Sequence, residues 1–105
     1  MPEVEAESGL VKMFGGSPVV KVVDTLMDHP DYEYTKKELA EVNDISRPTL
    51  YKIWGRLEEL GIVRKRRKIG NTQLFSLNKE SEVVKSFYEM EHRLEEARSR
   101  KRVKV

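Results

Sequence analysis

The sequence predicts a mainly α-helical domain that carries one small β-hairpin and ends in a long helix. Three stretches carry that expectation. Residues 45–61 (I-S-R-P-T-L-Y-K-I-W-G-R-L-E-E-L-G) read as a single helix with a start, an apolar stripe and a stop. Residues 62–77 change to β-compatible residues on either side of Ile69-Gly70-Asn71, a hairpin turn signal. Beyond them Val83, Phe87, Met90, Leu94 and Ala97 recur at alternating steps of four and three, the heptad seam of a helix built to pair.

Residues 45–61 organise the rest. Ser46 can accept a backbone N–H as N-cap, and Pro48 falls in the first turn, where its missing donor is harmless. Leu50, Ile53, Trp54, Leu57 and Leu60 lie on one face, and Gly61 supplies the left-handed residue past the end. The opposite face carries Arg47, Tyr51, Lys52, Gly55 and Arg56. A helix anchored by Leu and Trp and showing Arg, Lys and Tyr outward is shaped to be pushed into something polar.

The 105 residues make one domain, with room for a modest core and little for an enzyme cleft. No apolar run approaches the ~18–20 residues of a membrane span, and the N-terminus lacks the basic-then-apolar order of a signal peptide. With no Cys, disulfides, thiolate nucleophiles and Cys-ligated metals are excluded, which fits a cytoplasmic protein. Charge is uneven: residues 1–35 hold 2 basic and 7 acidic side chains, residues 36–75 hold 10 and 5, and residues 76–105 hold 8 and 6. A basic middle beside an acidic leader is the footprint of a localised nucleic-acid contact face.

In chain order, residues 1–9 are acidic and aperiodic, and residues 1–16 as a whole read as a flexible leader. Within it Leu10, Val11, Met13 and Phe14 form an apolar cluster that either packs on a partner or extends the first helix. Ser17-Pro18 opens that helix, Val19, Val22, Val23, Leu26 and Met27 line it, and Pro30 closes it through His29. Tyr32-Glu33-Tyr34 has the character of a short edge strand. Thr35 and Glu38 form a capping box for a short helix that buries Leu39, Ala40 and Val42 and ends at Asn43-Asp44. Ile45 is the buried residue of the turn. In the hairpin, Val63, Phe75 and Leu77 are expected against the helices, leaving Arg64, Lys65, Arg66, Arg67 and Lys68 along the ribbon.

Helix, capped short helix, turn, long helix and basic hairpin make a winged helix-turn-helix over residues 17–78. Residues 35–41 (T-K-K-E-L-A-E), 45–63 and 67–78 (R-K-I-G-N-T-Q-L-F-S-L-N) resemble the small single-domain winged-helix transcription regulators of the ArsR/MarR-like type, especially archaeal ones. That resemblance implies a homodimer on double-stranded DNA, with the recognition helix in the major groove and the wing on the flanking backbone. Carried onto this chain, Ser46, Arg47, Thr49, Tyr51, Lys52 and Arg56 face the groove, and Arg64 to Lys68 with Asn71 form the wing. Residues 79–105 then hold the dimerisation helix, its interface Val83, Phe87, Met90, Leu94 and Ala97, and a basic tail.

The symmetry of such a dimer implies a pseudo-palindromic site, and repression by occlusion is its simplest mode of action. The alternative is a winged-helix module that binds RNA or an acidic protein, or scaffolds a complex. The sequence offers no cofactor or effector site. His29 and His92 are far apart and read as surface residues, so the metal sensing of ArsR proteins is not carried over. No carboxylate pair suited to acid/base chemistry and no Gly-rich phosphate loop is present, and no enzyme is read here.

Overall fold

The computed structural model describes residues 9–103. Its elements are α1 (Gly9–Phe14), α2 (Pro18–Asp28), α3 (Lys36–Val42), α4 (Arg47–Glu59), the antiparallel strands β1 (Val63–Ile69) and β2 (Thr72–Leu77), and α5 (Glu82–Val103). The expected order of helices and hairpin is present, with α1 as an addition.

Short-range chemistry sets the ends of these elements. Ser17 accepts from Val20 N–H with Pro18 at the start of α2. At α3 the capping box is complete: Glu38 N–H reaches Thr35 Oγ1 at 3.0 Å, and Thr35 N–H reaches Glu38 Oε1 at 2.9 Å. Gly61 follows α4 with φ +71°, a conformation that side-chain-bearing residues avoid. The reversal brings Ile62 inward, where it is buried, and leaves Leu60 exposed. Leu60 therefore does not belong to the buried stripe of α4, which is Leu50, Ile53, Trp54 and Leu57. Val42 is likewise 63% exposed, because at the last position of α3 it points away from Leu39 and Ala40.

One core joins Val22, Val23 and Leu26 of α2, Leu39 of α3, the α4 stripe, Ile62, Phe75, Leu77 and Val84. Tyr32-Glu33-Tyr34 contributes a single bridge instead of a strand. Tyr34 N–H donates to Phe75 O at 2.7 Å and Phe75 N–H to Tyr34 O at 2.8 Å. This makes β2 the middle of the sheet, flanked by β1 and by a stub at Tyr34. Ile45 is half-buried against the core.

Two expectations are corrected at the termini. Residues 9–14 are not part of a flexible leader: they form α1, and Leu10 is buried in the core. Residues 1–8, where the acidic tail was expected, lie outside the described residues. The second correction concerns α5, whose seam does not stand clear of its own domain. Val83, Phe87 and Met90 are half-buried against the core. Leu94 approaches α1 so closely that a Cβ on Gly9 would sit 3.1 Å from Leu94 Cδ1. Ala97 is exposed. At 1.5 Å per residue the 22 residues of α5 span about 33 Å, which accounts for an elongated molecule of 55 × 30 × 20 Å.

Candidate nucleic-acid interface

The turn between α3 and α4 is fixed by Asn43, which is nearly buried. Its Nδ2 donates to Leu39 O at 2.9 Å, while its Oδ1 accepts from Thr25 Oγ1 of α2 at 2.7 Å. Asp44 takes the left-handed conformation with φ +55°, which Asp tolerates better than most residues, and Ile45 N–H returns to Ala40 O at 3.0 Å. Ser46 then caps α4: its Oγ accepts from Thr49 N–H at 3.2 Å and donates to Thr49 Oγ1 at 2.9 Å. With Leu50, Ile53, Trp54 and Leu57 turned inward, Arg47, Tyr51, Lys52, Gly55 and Arg56 are exposed together. The positive end of the α4 dipole, capped by Ser46 and flanked by Arg47, favours negative charge nearby.

A β-bulge rearranges the wing. Lys65 pairs with Phe75 and Lys68 with Gln73, so Arg66 and Arg67 both stand opposite Leu74. The Gln73 side-chain amide holds the bulge, donating to Arg66 O at 2.7 Å and making longer contacts with Arg67 O and Leu74 O. Because strand side chains alternate, the extra residue changes which face each later side chain occupies. Lys65 and Lys68 share the face of Phe75 and Gln73, while Arg64, Arg66 and Arg67 fall on the face of Ser76 and Leu74. The run of five cations is therefore split. On the second face Glu33 takes up two of them, lying 2.9 Å from Arg67 Nε and 3.5 Å from Arg66 Nη2. Arg66 also reaches Ser76 Oγ at 3.4 Å, and this cover explains why β2 is buried on both sides from Leu74 to Leu77. Gly70 turns the hairpin with φ +61°, and Asn71 at the tip is exposed.

Between α4 and the wing lies a set of cations that the sequence reading missed. Lys36, the first residue of α3, places Nζ 4.8 Å from the Trp54 ring centroid, 5.5 Å from that of Tyr51 and 5.6 Å from that of Phe75. Three ring faces hold this ammonium in place. Lys36, Lys37, Arg47, Tyr51, Gln73 and Phe75 line a concavity of about 360 Å³ that joins the α4 N-terminus to the inner face of the wing. Two lysines in the first turn of a helix oppose its dipole. That conflict was a signal in the sequence, and an anion in the concavity would relieve it.

The contact between α2 and α5 is acidic. Asp24 and Asp28 of α2 face Glu91 of α5. Burial, then mutual repulsion, hold the Asp28 and Glu91 carboxyls above their ordinary range. Tyr88 ties α5 to α2 by donating to Met27 O at 2.7 Å. Met13 and Phe14, at the end of α1, are more than half exposed. His29 closes α2 and His92 faces Glu96 on the outer side of α5.

No family profile and no curated protein matches the chain. Solved structures do match, among them several of Lactococcus lactis ZitR. A double mutant in apo form superposes with a TM-score of 0.61 and 18% identity, covering 99% of this chain and 81% of that one. The chain has the winged-helix fold. The wild type in complex with DNA superposes with a TM-score of 0.51 and 18% identity over 77% of this chain and 57% of that one. A further structure, described as a zinc-responsive MarR family member, gives 0.52 and 19% over 77% and 58%. In most of these matches the chain spans under three-fifths of the neighbour's length. Among the described residues no three His, Asp or Glu side chains come together as a metal-ligand set. No described helix is long and apolar enough to cross a membrane.

Proposed function

We propose that this chain is a double-stranded DNA-binding transcription regulator that acts in the cytoplasm as a homodimer and represses by occupying its site. One observation carries the reading: Lys36, Lys37 and Arg47 line one concavity at the α4 N-terminus together with Phe75 and Gln73, the strand partners of Lys65 and Lys68, while Lys52 and Arg56 are exposed along α4. Phosphate contacts position such a surface, and base-edge contacts give it sequence preference. Arg47 and Lys52 are the residues for the base edges, where a bidentate Arg–guanine pair contributes about 1–3 kcal/mol of discrimination. Tyr51 and Thr49 offer an aromatic ring and a hydroxyl alongside them. Lys36, Lys37, Arg56, Lys65 and Lys68 take phosphates, with Asn71 at the wing tip. A complex of ZitR with DNA supports the reading by fold alone.

The dimer is assembled along α5 and α1. Leu94 and Ala97 continue the seam past the core, and Met13 and Phe14 offer exposed apolar surface beside it. Two recognition helices held this way, about 34–36 Å apart, read an inverted repeat. Selection of bound sequences from random duplexes at near-physiological salt tests the class and the symmetry together. Enrichment of an inverted repeat is expected, with the preference lost in Arg47→Ala or Lys52→Ala while the oligomeric state is kept. Absence of any enriched duplex, or tighter binding to RNA than to duplex DNA, would overturn the reading.

A further inference from the structure

We infer, resting on that DNA-binding reading, that Glu33 is a built-in competitor of the DNA phosphates that withholds Arg66 and Arg67 from the contact surface. Three features place it there. The two hydrogen bonds between Tyr34 and Phe75 lock the Tyr34 backbone against the middle strand, so Glu33 is fixed beside the wing and is not left in a free loop. The bulge turns Arg66 and Arg67 to the same face, where a regular strand would send them to opposite faces, and Gln73 stabilises the bulge through its freed carbonyls. Finally, Glu33 is largely covered, with 23% of its side chain exposed, while Arg66 and Arg67 are 40% and 69% exposed.

That last asymmetry decides the direction of the effect. An ion pair between two exposed side chains is weak, and a phosphate could displace it. Here, if both guanidiniums left, they would strand a mostly covered carboxylate beside a polyanion. The three groups therefore act as a unit of one net positive charge. Asp31, two residues earlier, extends the acidic edge; it is held at 2.6 Å by Lys79 and lies within the field of Arg66. The remaining wing cations on the side of the recognition helix are Lys65 and Lys68. Glu33 thus lowers the sequence-independent part of the affinity without touching a base.

The test is a salt titration of binding to a duplex of arbitrary sequence, for the wild-type chain and for Glu33→Gln. Gln keeps the shape and an acceptor oxygen for Arg67 Nε, so the wing retains its seat. Each phosphate contact contributes about 0.9 to the slope of log K against log salt. Glu33→Gln is expected to steepen that slope by about one per protomer and to tighten binding roughly tenfold near 0.1 M salt. In an Arg66→Gln/Arg67→Gln background the same change should have no effect on the slope. An unchanged or flatter slope in Glu33→Gln overturns the inference, as does a steepening that persists without the two arginines, since Glu33 would then merely repel DNA. A wild-type chain with no salt-dependent duplex binding would instead sink the underlying reading, and the inference with it.

Discussion

The indole of Trp54 and the ring of Phe75 meet edge-on, with centroids 4.8 Å apart and planes at 72°. This contact joins α4 to β2 and sets the position of the helix relative to the hairpin. Lys36 covers both rings. Phe75→Ala should cost about 3–5 kcal/mol in urea unfolding and weaken DNA binding beyond what the loss of stability explains. Trp54 Nε1 is buried without a hydrogen-bond partner, so Trp54→Phe removes an unsatisfied donor and should cost about 1 kcal/mol or less. A Trp54→Phe cost close to that of Trp54→Ala would contradict this account.

Asn43 bonds the end of α3 to α2 through both ends of its amide. Asn43→Ala leaves the Thr25 hydroxyl and the Leu39 carbonyl without these partners in a nearly closed site. Chemical denaturation should show a loss of about 1–3 kcal/mol. Thr35→Ala, which breaks the part-buried capping box, should lose about 1 kcal/mol.

Two glycines of the same segment should respond with opposite signs. A Cβ at Gly55 meets nothing within 4 Å, so Gly55→Ala should stabilise the fold by about 1 kcal/mol through helix propensity. If the duplex backbone approaches this point, the same variant binds DNA less tightly despite its greater stability. At Gly61 there is space as well, but φ is +71°, and Gly61→Ala should cost about 1–2 kcal/mol. Thermal unfolding of the pair separates backbone strain from steric room.

The carboxylates between α2 and α5 set a pH dependence. Burial and then repulsion raise the folded-state pKa of Asp28 and Glu91 above their unfolded values, so the folded chain binds more protons than the unfolded one in the interval between. Their contribution favours the folded state below the unfolded values and is lost as pH rises through the raised ones. Glu91→Gln keeps an oxygen for the Leu10 N–H while removing the charge. It should therefore raise the melting temperature at pH 7, and that advantage should vanish near pH 4. A variant that melts below the parent at pH 7 would show that the anion is needed there.

The parts of the fold legible in the sequence are those whose causes lie within a few residues. Ser17, Thr35 with Glu38, Ser46 and Gly61 mark helix ends because each cap closes over three or four positions. The 3.6-residue period placed Arg47, Tyr51, Lys52 and Arg56 opposite Trp54, and the structure exposes them together. The same local view misplaced Leu60 and Val42, whose exposure depends on where the chain goes after each helix. It also missed Lys36, whose aromatic partners Tyr51, Trp54 and Phe75 come from two other elements.

The sequence by itself determined the order of helices, the position of the hairpin turn and the cationic character of the wing, because capping, periodicity and turn chemistry are properties of short segments. Tertiary structure decided which neighbours those cations meet. The partner of Arg67 is 34 residues away, the bulge exists because Gln73 can hold the carbonyls of Arg66 and Arg67, and the seam of α5 rests on α1 and α2 of the same chain. Each of these depends on elements meeting across the fold, and so five consecutive basic residues that look alike in the chain divide into two sets with different neighbours.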